Sequence, residues 1–252
     1  QLLEYTKSKI KQADIVDIII MFIILVIVIV IFVWLHHTLS LSEKNCKTLE
    51  NVYKNQVPNI TNIRKENPNF SFNLLDYYIK TAYNCCCAGS YKNDFVDSPS
   101  TTTPYCALSN CIKQGARCLD FEVYSYKNKP IIAVSSVDSN NIKETFNYLD
   151  FDKTMTWIAN SAFSSGFCNN YTDPLLLNFR IMSNNVSIYP QIAESILRNF
   201  REYLLDSKYN AINYCKSIAL LPLLTFIKKV IIIIDDKSFK NLVNLCPIHH
   251  TQ

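Results

Sequence analysis

The sequence predicts an α/β domain, built on a parallel, barrel-type sheet and preceded by one N-terminal transmembrane helix. Three observations predict it. An unbroken apolar run, IVDIIIMFIILVIVIVIFVWL, extends from Ile15 to Leu35. Beyond about residue 74, short β-branched or aromatic runs alternate with helix-period segments, the pattern of parallel strands joined by helices. Strand-length runs such as KVIIIID are apolar throughout, as strands covered on both faces are.

The apolar run carries one charge, Asp17, near its start. At about 1.5 Å per residue it spans a bilayer core. It exceeds the apolar region of a signal peptide, and no small-x-small cleavage site follows it. Trp34, His36 and His37 fall at headgroup level, and Lys7, Lys9 and Lys11 precede the run. The charge bias places the N-terminal segment, residues 1–14, on the cytosolic side and the remainder across the membrane. The lipid bilayer is thus the first expected partner.

Residues 36–73 are polar, with Pro58 and Pro68, and read as a stalk or surface-wrapping segment. The domain then occupies residues 74–252. YYIKTAYN (77–84) reads as a first strand. YCALSNCIKQG reads as a short helix ended by Gly115. RCLDFEVY is a second strand and PIIAVSS (130–136) a third. DKTMTWIANSAF is a helix with Asp152 as N-cap and Met155, Ile158, Ala159 and Ala162 on one stripe. PLLLNFRIM (174–182) is a fourth strand. YPQIAESILRNFREYLL is a helix burying Ile192, Ile196, Phe200 and Tyr203, and KVIIIID (229–235) is a fifth strand. A closed barrel needs eight strands, so a longer protein is expected, with further strands beyond Gln252. The first residue, Gln1, likewise suggests sequence before it.

Composition excludes several classes. The net charge is +4 with no run of Lys and Arg among aromatics, which gives no nucleic-acid footprint. Three glycines (Gly89, Gly115, Gly166) leave no Gly-rich phosphate cradle. The ten cysteines permit disulfides, while NCCC (85–87) lacks paired zinc-ligand spacing. Asn59, Asn69, Asn170 and Asn185 each begin an N-x-S/T sequon, which suits a translocated domain but arises readily in an Asn-rich chain. In GARCLDFEVY, Asp120 and Glu122 lie two apart and share a strand face. They sit on a solvated edge or hold a cation.

These blocks, in this order, resemble the X region of phosphatidylinositol-specific phospholipase C. GARCLDFEVY resembles the family's Gly, Cys-Arg-Cys and paired-acid block. PIIAVSS stands where a strand carries a His-Gly, DPLLLNFRI where a strand usually ends in Glu, and LPLLTFIKKVIIIID resembles the block that follows. The resemblance runs from about Lys80 to Asp236. It implies a TIM-like barrel, here partial, with its site at the C-terminal strand ends. It further implies two catalytic histidines and a calcium held by an Asn, two acids and a Glu.

Carried over residue by residue, the first His-Asn pair falls on Tyr83-Asn84 and the second His on Val134. The Glu falls on Arg180, while Asp120 and Glu122 stand for the acids. A phenol is a poor base at neutral pH and valine has no proton to give. The four histidines, His36, His37, His249 and His250, offer no obvious replacement. The resemblance therefore implies fold and ancestry without the activity. It implies no catalytic residue, no cofactor, and a remnant polar site of Asn84, Asp120, Glu122 and Arg180, with the guanidinium in the calcium volume. Metal-independent bacterial relatives likewise use an arginine there.

The A/T-rich codon signature, the anchor and the degenerate site resemble phospholipase-C-like proteins of large DNA viruses. That likeness implies a structural protein of the virion, tying an internal membrane to capsid proteins. The alternatives are an active, calcium-using phosphoinositide phosphodiesterase and a lipid-headgroup-binding module.

Overall fold

The face-by-face alternation of apolar and polar residues in the second and fourth predicted strands organises the whole domain. A computed structural model describes residues 2–56, 60–87, 105–134, 147–209 and 216–235. Asn59, Pro58, Gly89, Ser135, Ser136, His249 and His250 lie outside the described residues. The chain divides into two units, Gln1–Leu41 and Ser42–Gln252.

Helix α1 runs from Leu2 to Tyr53. Its stretch Ile15–His37, 23 residues, is long and apolar enough to cross a membrane, spanning about 34 Å. Every large apolar side chain from Ile15 to Leu35 is at least 41% exposed, unlike the core helix of a globular protein. The expected change to a stalk at residue 36 is not a helix end. No proline or glycine occurs between Thr38 and Tyr53, so nothing there breaks the helix. Within the polar segment 36–73, Ile63 is buried with Leu74, Leu176, Leu223, Phe226 and Ile231. In the second unit a Cys46–Cys106 disulfide joins α1 to helix α2, Cys106–Lys113.

The sheet contains β1 (Thr81–Ala82), β2 (Cys118–Tyr126), β3 (Lys129–Ile132), β4 (Leu149–Asp150), β5 (Leu175–Ile181) and β6 (Val230–Asp235). Its order is β4-β3-β2-β5-β6, with β1 beside the start of β2. Helices α3 (Phe151–Ala162) and α4 (Ile188–Phe200) complete the elements. On β2, Leu119, Phe121 and Val123 pack with Leu177, Phe179 and Ile181 of β5 against Ile112, Met155, Ile158 and Ile192 of the helices. The intervening residues, Asp120, Glu122, Asn178 and Arg180, therefore point to the other face.

The sheet is mixed, not parallel as the strand–helix alternation implied. β2, β5 and β6 are parallel, whereas β3 runs antiparallel to β2 and β4 antiparallel to β3. The cause is a two-residue turn: Lys127 and Asn128 have φ of 50° and 59°, the type I′ geometry that matches the strand twist of a hairpin. Among the described residues the sheet is open, with β4 and β6 at its ends, so a closed barrel is not seen. β6 accordingly departs from a doubly covered strand, because Ile233 and Ile234 are 40% and 51% exposed.

Other differences are local. The first strand shrinks to Thr81–Ala82, because the chain turns at Asn84 with φ 45°. The α3 cap is Asp150 and not Asp152. Asp150 has extended backbone and accepts the Lys153 N–H, while Asp152 accepts from Ser195 and Arg198 of α4. In α4, Ile192, Ile196 and Phe200 are buried as the stripe predicts, and Tyr203 is half-buried beyond the helix end.

Gly115 follows α2 with φ 82°, and a Cβ there would meet Ile60 Cδ1 at 2.1 Å. The Ile60 methyl can move, so the left-handed backbone sets the cost. Gly115→Ala is expected to lower stability by about 1–2 kcal/mol, measured by urea unfolding. An unchanged midpoint would show that the turn relaxes.

Candidate functional site

The register of β2 on β5 places Asp120 opposite Asn178 and Glu122 opposite Arg180. Four polar side chains thus meet on the face away from the helices. Asn84 joins them from the turn after β1, where its left-handed φ is one that asparagine tolerates. Hydrophobic groups close both ends of this stripe. Leu176, Ile231 and their neighbours cover the strand starts, while Tyr124, Ile131 and Ala133 cover the far end.

Arg180 sits at the centre. Its Nε donates to Asp120 Oδ1 at 3.0 Å, and Nη2 to Asp120 Oδ2 at 2.8 Å. Nη1 donates to Glu122 Oε1 at 2.8 Å, and Nη2 also reaches Asn84 Oδ1 at 2.6 Å. The pairing with Asp120 is the bidentate fork that favours arginine over lysine. The aromatic ring of Tyr83, itself 64% exposed, lies over the guanidinium with its centroid 4.5 Å away, a favourable cation–π placement. Asp120 and Glu122 are only 4% and 5% exposed, so bulk water does not solvate them.

The remaining carboxylate valences are met by neutral donors. Asn178 Nδ2 donates to Asp120 Oδ1 at 2.7 Å, and the Asn84 backbone N–H to Asp120 Oδ2 at 3.1 Å. The Tyr124 hydroxyl donates to Glu122 Oε2 at 2.9 Å. All four carboxylate oxygens accept at least one bond. Burial works against the Arg180 charge, but hydrogen bonds and charges from Asp120 and Glu122 outweigh it and raise its pKa. The group is a fixed cation at every physiological pH.

Asn178 and Tyr124 were not singled out from sequence, although a signal existed. Each lies two residues from a named site residue on the same strand, and so shares its face. Arg117, in the same GARC segment, is also buried, but it serves the opposite end of the strand. Its guanidinium donates to the carbonyls of Ala162 and Asn170 and to Cys168 Sγ, tying the chain after α3 to the start of β2. Burial lowers its pKa.

The family resemblance implies a calcium among Asn84, Asp120 and Glu122. Calcium needs six to eight oxygens at 2.3–2.6 Å. Asn84 Oδ1, both Asp120 oxygens and Glu122 Oε1 already accept from one guanidinium. The residues present do not fit the ion while Arg180 occupies their midst. Val134, on which the resemblance sets the second family histidine, is 3% exposed and packs in the main core. Tyr83, on which the resemblance sets the first histidine, presents its ring to Arg180. His36 and His37 lie within α1, in the apolar stretch that ends at His37.

No protein-family model matches this sequence, and no curated protein matches it. Among solved structures it is similar to PLC21 of L. pealei, at 20% identity and TM-score 0.49 over 65% of this chain and 18% of that one. It is also similar to PLC21 of S. officinalis, at 21% identity and TM-score 0.48 over the same shares, 65% and 18%. A calcium-dependent phosphoinositol-specific phospholipase C from the Gram-negative bacterium Pseudomonas sp shares 11% identity at TM-score 0.40, over 68% of this chain and 60% of that one. The chain thus spans 18% of the length of the PLC21 chains that it matches.

Proposed function

We propose that this protein is a membrane-anchored, catalytically inactive scaffold whose domain keeps the phospholipase-C-like framework and uses its surface to bind other proteins. The observation that carries the reading is the Arg180 plug. The group that would have to polarise a phosphate is bound on three sides by Asp120, Glu122 and Asn84. Among the described residues, the two positions of the family histidines supply no acid–base pair beside it, since Tyr83 covers the guanidinium and Val134 is buried among apolar side chains. General acid–base catalysis needs a positioned proton carrier; Val134 has no proton to give, and the ring of Tyr83 is held over the guanidinium.

Packing is retained where chemistry is not. A domain that preserves its core while Tyr83 and Val134 stand at the family's histidine positions is suited to use as a surface. The apolar stretch Ile15–His37 supplies the membrane attachment. The form of scaffold that the sequence likeness implies is a tie between an internal virion membrane and capsid proteins.

Phosphatidylinositol vesicles, with and without calcium, test this directly. Inositol phosphate release should equal the protein-free control in both. Robust release in either would replace the scaffold reading with that of an active phosphodiesterase. Retention on the vesicles without release by the unit lacking residues 1–41 would favour headgroup binding.

A further inference from the structure

The four sequons and the disulfide play no part in the proposed scaffold role, and together they bear on one question. We propose that the Ser42–Gln252 unit resides on the oxidising side of a membrane and that Asn69 carries an N-linked glycan, whereas Asn170 and Asn185 remain bare.

The first observation is covalent. Cys46 and Cys106, separated by 60 residues, form a disulfide, and such bonds persist in oxidising compartments. Cys46 follows the apolar stretch that ends at His37, so in sequence it belongs to the part of the chain that emerges beyond the membrane. Lys7, Lys9 and Lys11 precede that stretch, which orients the segment before it toward the cytosol. Charge bias and disulfide therefore agree on the side.

The second observation sorts the sequons by what the fold leaves accessible. Asn170 is 2% exposed and its amide donates to the Gly115 carbonyl at 3.3 Å. The hydroxyl of its sequon, on Thr172, donates to Asn62 Oδ1 at 3.0 Å. Asn185 is committed on both sides. Its amide donates to Ser125 Oγ and Asn128 Oδ1, each at 2.9 Å, and its carbonyl accepts the N–H and the hydroxyl of Ser187. A glycan on Asn185 would leave its amide one N–H for two acceptors, Ser125 Oγ and Asn128 Oδ1, and a glycan on Asn170 would have to enter the core. Modification at Asn170 is incompatible with the packed core, and modification at Asn185 breaks a bond that ties it to the β2–β3 turn.

Asn69 differs in each respect. It lies in the single 3-10 turn Pro68–Phe70, and both it and Ser71 are exposed. The turn is held by backbone groups: the Asn69 N–H donates to Asn67 Oδ1, and its carbonyl accepts the Tyr77 hydroxyl. Its side chain can therefore be extended without disturbing the turn. In the transfer, the Asn69 amide nitrogen bonds to the anomeric carbon of a lipid-pyrophosphate-linked oligosaccharide. The bond from that carbon to the pyrophosphate oxygen breaks, the lipid pyrophosphate leaves with the electron pair, and the amide releases one proton.

The test is expression of the full chain in insect or mammalian cells, followed by purification of the folded protein in detergent. Peptide N-glycosidase F should produce a mass shift, and peptide mapping should place a glycan on Asn69. Asn69→Gln should lose that glycan and keep the same thermal midpoint. The peptide containing Asn59, whose sequon lies outside the described residues, is separated from that of Asn69 by the same mapping. Under non-reducing conditions the Cys46 and Cys106 peptides should remain joined. A folded protein with no glycan on Asn69 overturns the acceptor assignment. One in which Cys46 and Cys106 both alkylate without reduction overturns the compartment. A glycan on Asn170 or Asn185 in the folded fraction overturns the sorting by burial.

Discussion

Replacing Arg180 with methionine is expected to destabilise the domain by about 3–5 kcal/mol, the cost of leaving buried carboxylates without their cation. That is a large part of the 5–15 kcal/mol that typically separates folded from unfolded states. The loss should be read as a lower denaturation midpoint in urea with unchanged slope. Its origin is checked by adding Asp120→Asn and Glu122→Gln to Arg180→Met, which removes the uncompensated charge and should recover most of the loss. If Arg180→Met alone shifts stability by less than about 1 kcal/mol, the guanidinium is not holding the acids. Arg180→Glu places a third acid at the same point. It should either yield a calcium affinity measurable by calorimetry, absent from the parent protein, or fail to fold for want of the ion. Tight calcium binding by the unaltered protein would refute the substitution of ion by side chain.

The disulfide carries the second large effect. Closing a loop of 60 residues restricts the unfolded chain by about 4 kcal/mol in the chain-entropy account. Replacing Cys46 and Cys106 together with serine should therefore lower stability by about that amount, and added reductant should do the same to the parent. Cys85 offers an internal contrast. Burial pushes its thiol pKa well up, so it should resist alkylation in the folded state. Equal stability with and without reductant would mean that the bridge adds nothing to the fold.

Much of this was legible in the sequence, for physical reasons that can be named. β2, β5, α3 and α4 follow from periodicity, because one face of each meets a single apolar layer. The two-residue repeat puts Asp120 and Glu122 on one face, and the family resemblance implied Arg180 beside them. What stayed hidden depended on geometry that sequence expresses weakly. The Lys127–Asn128 turn lacks the glycine that marks most hairpins of its type, so the reversal of β3 was not visible. Asp150 and Asp152 are both plausible caps, and only the backbone conformation separates them. The continuation of α1 to Tyr53 rests on the absence of any breaker in a polar segment. The burial of Asn170 depends on contacts with Gly115, 55 residues away.

The pairing of β2 with β5 has a consequence for how the chain finds its structure. These strands are far apart in sequence and must select one alignment during folding, when such long-range pairing is slow. A slip of one residue is penalised by the apolar core, because it turns Leu177 and Phe179 to the wrong face. A slip of two residues keeps every face correct, and the core alone does not reject it. It would set Asp120 against Arg180 and Glu122 against Met182, or Glu122 against Asn178, and so would break the fork that engages both acids at once. The buried charges thus act as a gauge of alignment, rejecting near-native pairings that hydrophobic collapse would accept. Such a gauge is useful whether or not the site performs chemistry, which gives selection a separate reason to retain its charged residues.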